Sequence, residues 1–349
     1  MSRDDVHLVG SIPLSSAEEV FTKLCDSLGD HLSRLPDGET GERARWVYWQ
    51  RTMLENHPHM EVDTEGESLK LHEWDGTLLR EMDLMRFKPG VIPADVTYNT
   101  GYDTANIASW QIFSNLQHSG KIPGHLRYQV ALPTPMSSAF MYVSPAAYED
   151  YFPTYERSLL RALDNIVAAI PADKLSIQWD ICQEVLVFEN YFPTRPADYK
   201  ERIFALMGRL GDAVPGAVEL GYHLCYGTPR DKHLVMPKDG AILAELSNAI
   251  LDRVDRNVDF LHLPVPQDRD DDAYFAPLGD IRLGAATKLY LGLIHYQDAS
   301  GDQARMRAAA KVCRNFGIAT ECGWGRADPQ RLDGLLAAHT AAVDVLSAC

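Results

Sequence analysis

The stretch Gly221-Tyr-His-Leu-Cys-Tyr-Gly227 places an imidazole and a thiol two positions apart, and Thr320-Glu-Cys-Gly-Trp-Gly-Arg326 offers a second thiol after a short apolar run. In an extended chain, residues two apart project from the same face, so His223 and Cys225 can grip one ion. Joined by Cys322 they form an imidazole and dithiolate set suited to zinc, and three protein ligands leave a position open for a substrate. By itself His-x-Cys also describes a buried histidine beside an inert core cysteine. The position of the remaining polar residues has to decide between the two.

Composition narrows the field. The chain has 349 residues, 46% of them hydrophobic, which is ample for a large core. Its 49 acidic and 33 basic residues leave a net charge of −16, which argues against a nucleic-acid or anionic-membrane surface. No apolar run approaches membrane-spanning length. Residues 1–9 lack the charged-then-apolar pattern of a secretory signal, so a cytoplasmic location is expected. The six cysteines, at 25, 182, 225, 313, 322 and 349, form no compact disulfide framework. Cys25 and Cys313 fall in helical patterns and read as packing residues, and the terminal Cys349 reads as inert. Cys182 reads as a bystander ligand or a small core residue.

The elements that must position these groups alternate. Strands are expected at 6–11, 31–35, 127–133, 174–180, 217–223, 258–263, 288–295 and 318–322. Helical patterns fall between them, notably at 145–170, 197–210, 241–256, 304–315 and 328–346. Eight short apolar strands with helical crossovers predict an α/β fold, a closed (β/α)8 TIM barrel spanning 1–349 as a single domain, since no linker divides the chain. Residues 44–124 lose the pattern and read as an insertion between the second and third strands that covers one end of the barrel. It holds a hairpin near Gly66 to Gly76 and the aromatics Trp46, Tyr48 and Trp49, which suit either a pocket wall or packing.

A parallel barrel gathers the carboxyl ends of its strands at one face, where active sites lie. The polar residues at those ends are Ser11, Asp37 with Glu39, Thr134, Asp180, His223 with Cys225, His262, His295 and Cys322. Asp180, directly after Leu175-Ser-Ile-Gln-Trp, is hard to bury without a use, the alternative being a solvated strand end. Glu39 is either a ligand contact or, with Asp37 and Glu42, a surface partner of Arg43 and Arg45. A thiol made nucleophilic by zinc needs an acid for the leaving group, and His295 and Asp180 are the candidates.

The series Val9-Gly-Ser11, Asp37-Gly-Glu39, Ile177-Gln-Trp-Asp180, His223-Leu-Cys225, Gly292-Leu-Ile-His295 and Cys322-Gly-Trp-Gly-Arg326 resembles the catalytic barrel of the cobalamin-independent methionine synthase family, over nearly the whole chain. The resemblance implies zinc on His223, Cys225 and Cys322, and a small thiol taken up as a zinc thiolate. It further implies transfer of an alkyl group, foremost methyl, from a donor or electrophile to that sulfur. Ser11, Glu39 and Asp180 would contact substrate, and His295 would assist proton movement. The pattern departs from the family at Pro264, where a glutamate ligand is expected and for which His262 is a nearby substitute. It departs again at 133–138, which lacks the tryptophan expected near a folate ring. A zinc-dependent carbon–sulfur lyase or thiol–epoxide transferase working without folate stays open beside the methyltransferase reading, as does a non-catalytic zinc- or ligand-binding barrel.

Overall fold

The computed structural model describes residues 4–192, 195–230 and 232–346, so Cys349 lies outside the described residues. Helix α1 (Ala17–Leu28) is started by Ser16, whose hydroxyl accepts from the Glu19 amide, while Glu19 reaches back to the Ser15 amide and hydroxyl. Strand β1 (Arg34–Pro36) follows, then α2 (Tyr48–Glu55). The next strands, β2 (Met60–Val62), β3 (Leu69–His72), β4 (Leu78–Met82) and β5 (Met85–Phe87), pair antiparallel as β2 with β5 and β3 with β4. Helix α3 (Tyr102–His118) packs against α1 and leads into β6 (Arg127–Pro133). Residues 44–124 therefore contain two small strand pairs and α2, together with a helix in the crossover position between β1 and β6.

From β6 onward the chain alternates: α4 (Pro135–Tyr142), α5 (Tyr148–Ala169), β7 (Leu175–Ile181), α6 (Gln183–Phe188), α7 (Tyr199–Asp212), β8 (Glu219–Leu224), α8 (Ala241–Arg253) and β9 (Phe260–Pro264). Then come α9 (Asp272–Phe275), β10 (Lys288–Gly292), α10 (Ala299–Ala310), β11 (Gly317–Ile318) and α11 (Leu332–Leu346). The sheet runs β1-β6-β7-β8-β9-β10-β11, and every neighbouring pair is parallel. All seven residues of β7 are buried, as a strand covered by helices on one face and facing a closed interior on the other requires.

The ring is completed by residues 5–12, which bridge both sheet edges. His7 N donates to Ile318 O at 2.9 Å and Ile318 N to Asp5 O at 2.8 Å, while Ile12 N donates to Gly38 O at 2.9 Å. The expected first strand is thus two isolated bridges rather than a ladder. Its middle carbonyls are taken by glutamines inside the barrel: Gln129 Nε2 donates to Leu8 O and Val9 O at 2.9 Å each, and Gln178 Nε2 to Val9 O at 2.8 Å. The expected eighth strand likewise shrinks to two residues. The architecture is the predicted curled parallel sheet of a TIM-barrel-like fold. Among the described residues no helix is long and apolar enough to cross a membrane.

Candidate metal centre and substrate cavity

Strand β8 carries His223, and the chain continues its register past Leu224, with Cys225 N donating to Ile181 O at 3.0 Å. His223 and Cys225 therefore face the same way. Cys322 arrives from the turn after β11, a turn held by Trp324 N donating to Ser11 O at 2.7 Å and Gly325 N to Ser11 Oγ at 3.2 Å. The two sulfurs lie 3.7 Å apart, Cys322 Sγ is 3.8 Å from His223 Nε2, and all three ligand atoms fall within 4.8 Å of one another.

Hydrogen bonding sets the tautomer of His223. His262 Nε2 is 3.0 Å from the Thr320 carbonyl, which only accepts, so Nε2 carries the proton. Burial and the neighbouring His223 push the His262 pKa well down, so its ring is neutral and Nδ1 is a lone pair. His223 Nδ1, 2.6 Å from that lone pair, must donate, so in the neutral ring the remaining lone pair sits on His223 Nε2, which faces the sulfurs. His262, expected as a substitute ligand, thus has both ring nitrogens engaged and stands behind His223. The Cys225 thiol donates to Cys322, and this bond with the Arg326 guanidinium at 3.0 Å outweighs burial and holds Cys322 well below the usual thiol pKa.

A zinc ion with bonds of about 2.3 Å to sulfur and about 2.0 Å to nitrogen needs tetrahedral ligand atoms roughly 3.6–3.8 Å apart. The 3.7 and 3.8 Å separations match, the third lies within 4.8 Å, and the Cys322 thiolate is favoured, so the set fits such an ion.

The three residues line the inner end of an open cavity of about 630 Å³. Ser11, Glu39 and Asp180 line it too, as do Trp46, Tyr48 and Cys182. The turn after β1 separates its carboxylates. Asp37 is buried in an ion pair with Arg43, whereas left-handed backbone at Gly38 (φ 79°) and Glu39 (φ 49°) swings Glu39 over Gly10. Gly38 admits no side chain, since a Cβ there would lie 2.6 Å from Val20 Cγ2. Asp180 accepts from Trp46 Nε1 at 3.0 Å and from Gln178 Nε2 at 2.9 Å. Burial raises its pKa to about 6, against the opposing His223 and the Gln178 bond. Burial and then the Asp180 carboxylate raise Glu39 to about 8.

His295, expected to assist proton movement, is not among the residues that line the cavity. Strand β10 ends at Gly292, a kink joins Leu293 N to Leu291 O at 2.8 Å, and His295 Nε2 donates to Val265 O at 3.0 Å. Its Nδ1 is 3.9 Å from Glu321, which also binds His233 in a buried pair behind Cys322. Sequence reasoning assigned no role to His233, Glu321 or Arg326. Only Arg326 carried a signal, its place in the turn that begins at Cys322. Trp49 packs on Tyr102 at 4.8 Å, away from the wall that Trp46 and Tyr48 form.

No protein-family model matches the chain, and no curated protein does. Among solved structures it is similar to a B12-independent methionine synthase from Shewanella sp. in complex with selenomethionine: 16% identity, 98% of this chain and 97% of that one, TM-score 0.62. It is also similar to a proposed vitamin-B12-independent methionine synthase from Listeria monocytogenes: 14% identity, 97% of this chain and 96% of that one, TM-score 0.56. At these identities the likeness is one of fold, shared along the full barrel.

Proposed function

We propose that the protein is a zinc-dependent transferase that alkylates, foremost methylates, the sulfur of a small thiol. The observation that carries this reading is the 3.7 and 3.8 Å spacing of one imidazole nitrogen and two sulfurs in the wall of an open cavity. The names of the fold neighbours support methyl as the group transferred. His223, Cys225 and Cys322 hold the ion, which when bound lowers the pKa of an incoming thiol and keeps its sulfur nucleophilic at neutral pH.

The remaining work belongs to side chains. Asp180, with a pKa near 6, is ionised at neutral pH and accepts the proton that the thiol gives up. Glu39 is protonated at neutral pH and supplies a proton to the leaving group. Ser11 and Glu39 form the wall against which the polar portion of the thiol rests, and Trp46 fixes Asp180 toward the cavity.

Zinc content per chain, measured after metal loading in the wild type, His223→Ala and Cys322→Ser, tests the ligand set. One zinc in the wild type and loss in both variants is expected, with an added sulfur neighbour in the zinc-edge absorption spectrum once a thiol is supplied. A wild type that takes up no zinc, or a spectrum that no thiol alters, overturns the proposal. Turnover with an epoxide and without a methyl donor would assign the same site to carbon–sulfur addition.

A further inference from the structure

The outer half of the cavity is built differently from the inner half. Arg45, Arg80 and Arg230 line it, and among the described residues none of the three has a carboxylate within ion-pair distance, although the chain carries a net charge of −16. They come from three separate segments: the turn after β1, strand β4 and the loop after β8. Tyr48 collects two of them. The Arg80 guanidinium lies 4.2 Å over its ring and donates to its hydroxyl, and the Arg45 guanidinium lies 5.9 Å from the same ring. Arg230 reaches the Leu79 carbonyl at 3.5 Å, beside Arg80 along the β4 backbone.

Guanidinium groups stacked on an aromatic face keep N–H donors free in fixed directions, which suits the oxygens of a carboxylate, sulfonate or phosphate. The cavity is therefore polarised, with metal-capable groups and the carboxylates Glu39 and Asp180 inside and unneutralised guanidiniums outside. We infer that the Arg45, Arg80 and Arg230 rim is a binding subsite for the oxyanion end of a substrate whose reacting centre lies at His223, Cys225 and Cys322. For the identity of the inner reactant this rests on the thiol-transfer reading; for the rim itself it does not. The oxyanion belongs either to the thiol or to the alkyl donor.

Inorganic pyrophosphate, titrated calorimetrically into zinc-loaded and metal-free protein, reads the rim without any thiol chemistry. Binding by the wild type and by His223→Ala is expected, with affinity falling by about tenfold or more in Arg230→Gln and in Arg80→Gln, as loss of a charge-assisted contact requires. Arg230 is exposed, so its variant keeps the test valid if Arg80→Gln perturbs packing on Tyr48. Failure of the wild type to bind, or equal binding by wild type and both variants, overturns the inference while leaving the zinc measurements untouched. Conversely, pyrophosphate binding by a protein that takes up no zinc would sustain the rim and remove the transferase reading. The source of the oxyanion follows from comparing ω-mercaptoalkanoates with mercaptoalcohols of equal length. Tighter binding of the acids that disappears in Arg230→Gln places it on the thiol; equal binding places it on the donor.

Discussion

The two ends of the barrel treat charge in opposite ways. At the amino end Arg34, 3% exposed, forks onto Glu219 at 2.9 and 3.1 Å, donates to the Tyr290 hydroxyl at 3.1 Å and lies 4.1 Å over Phe260. Burial opposes ionisation of Glu219, but Arg34 outweighs it and holds the carboxyl below its usual value. At the carboxyl end Glu39 and Asp180 face each other without a guanidinium fork, and both are pushed up. The amino-end carboxylate has spent its charge on a built-in partner, whereas Glu39 and Asp180, unlike Asp37 with Arg43 or Glu321 with His233 at the same end, have no such partner among the described residues. That contrast marks the carboxyl end as the candidate functional end by a route independent of any motif.

Breaking the amino end should cost the most. Arg34→Met leaves Glu219 buried without its partner, and removing one member of such a pair is expected to lower unfolding stability by about 3–5 kcal/mol. Urea unfolding would show it, with zinc stoichiometry unchanged in the protein that remains folded. Asp180→Asn, by contrast, should lower the urea midpoint far less, because removal of a buried charge offsets the loss of one of the two acceptor oxygens used by Trp46 and Gln178, while abolishing most turnover. Equal destabilisation by both substitutions would erase the distinction between the ends.

Much of this was legible in the residues. Strands β6 to β10 appear as apolar runs because each is buried on both faces, and His223 and Cys225 share a face because the strand register continues past Leu224. The edges of the pattern were not legible. Residues 6–11 look like a strand, yet Gln129 and Gln178 from other strands take the carbonyls a ladder would use. His295 looks like a strand-end residue until the kink at Leu293 turns it toward Val265. Arg80 and Arg45 reach the cavity only through tertiary placement of the β3–β4 hairpin and the turn after β1, which no local spacing encodes.

At the carboxyl end, the bond from His223 to His262 is what the proposed metal site adds to a mere pair of packed rings. His262→Phe keeps an aromatic ring at the position and removes the acceptor, freeing His223 to place its proton on either nitrogen. Zinc affinity, read by competition with a chelator, should fall roughly 10–100-fold, the usual effect of losing a partner that orients a ligating histidine. Unchanged affinity with an unchanged melting temperature would mean that the tautomer is set elsewhere.

The smallest effect is also the most specific, because the two ends should differ in the sign of their pH dependence. Glu219 is held below its usual value, so its contribution to stability is present above the ordinary carboxylate range and is lost as pH falls through the lowered value. Glu39 has a folded value of about 8, above its ordinary one, so the folded chain binds a proton that the unfolded chain releases. Its contribution is complete below the ordinary carboxylate range and is lost as pH rises through about 8, with Asp180 adding a parallel loss up to about 6. Urea midpoints of the metal-free protein should therefore decline on both sides of a mildly acidic optimum. Glu39→Gln should flatten the alkaline limb above about pH 6 and leave the acid limb in place, since the acid limb belongs to the other end of the barrel. If wild type and Glu39→Gln instead decline together with rising pH, the carboxylate over Gly10 is already neutralised by a neighbour, and the carboxyl end is no less self-satisfied than the amino end.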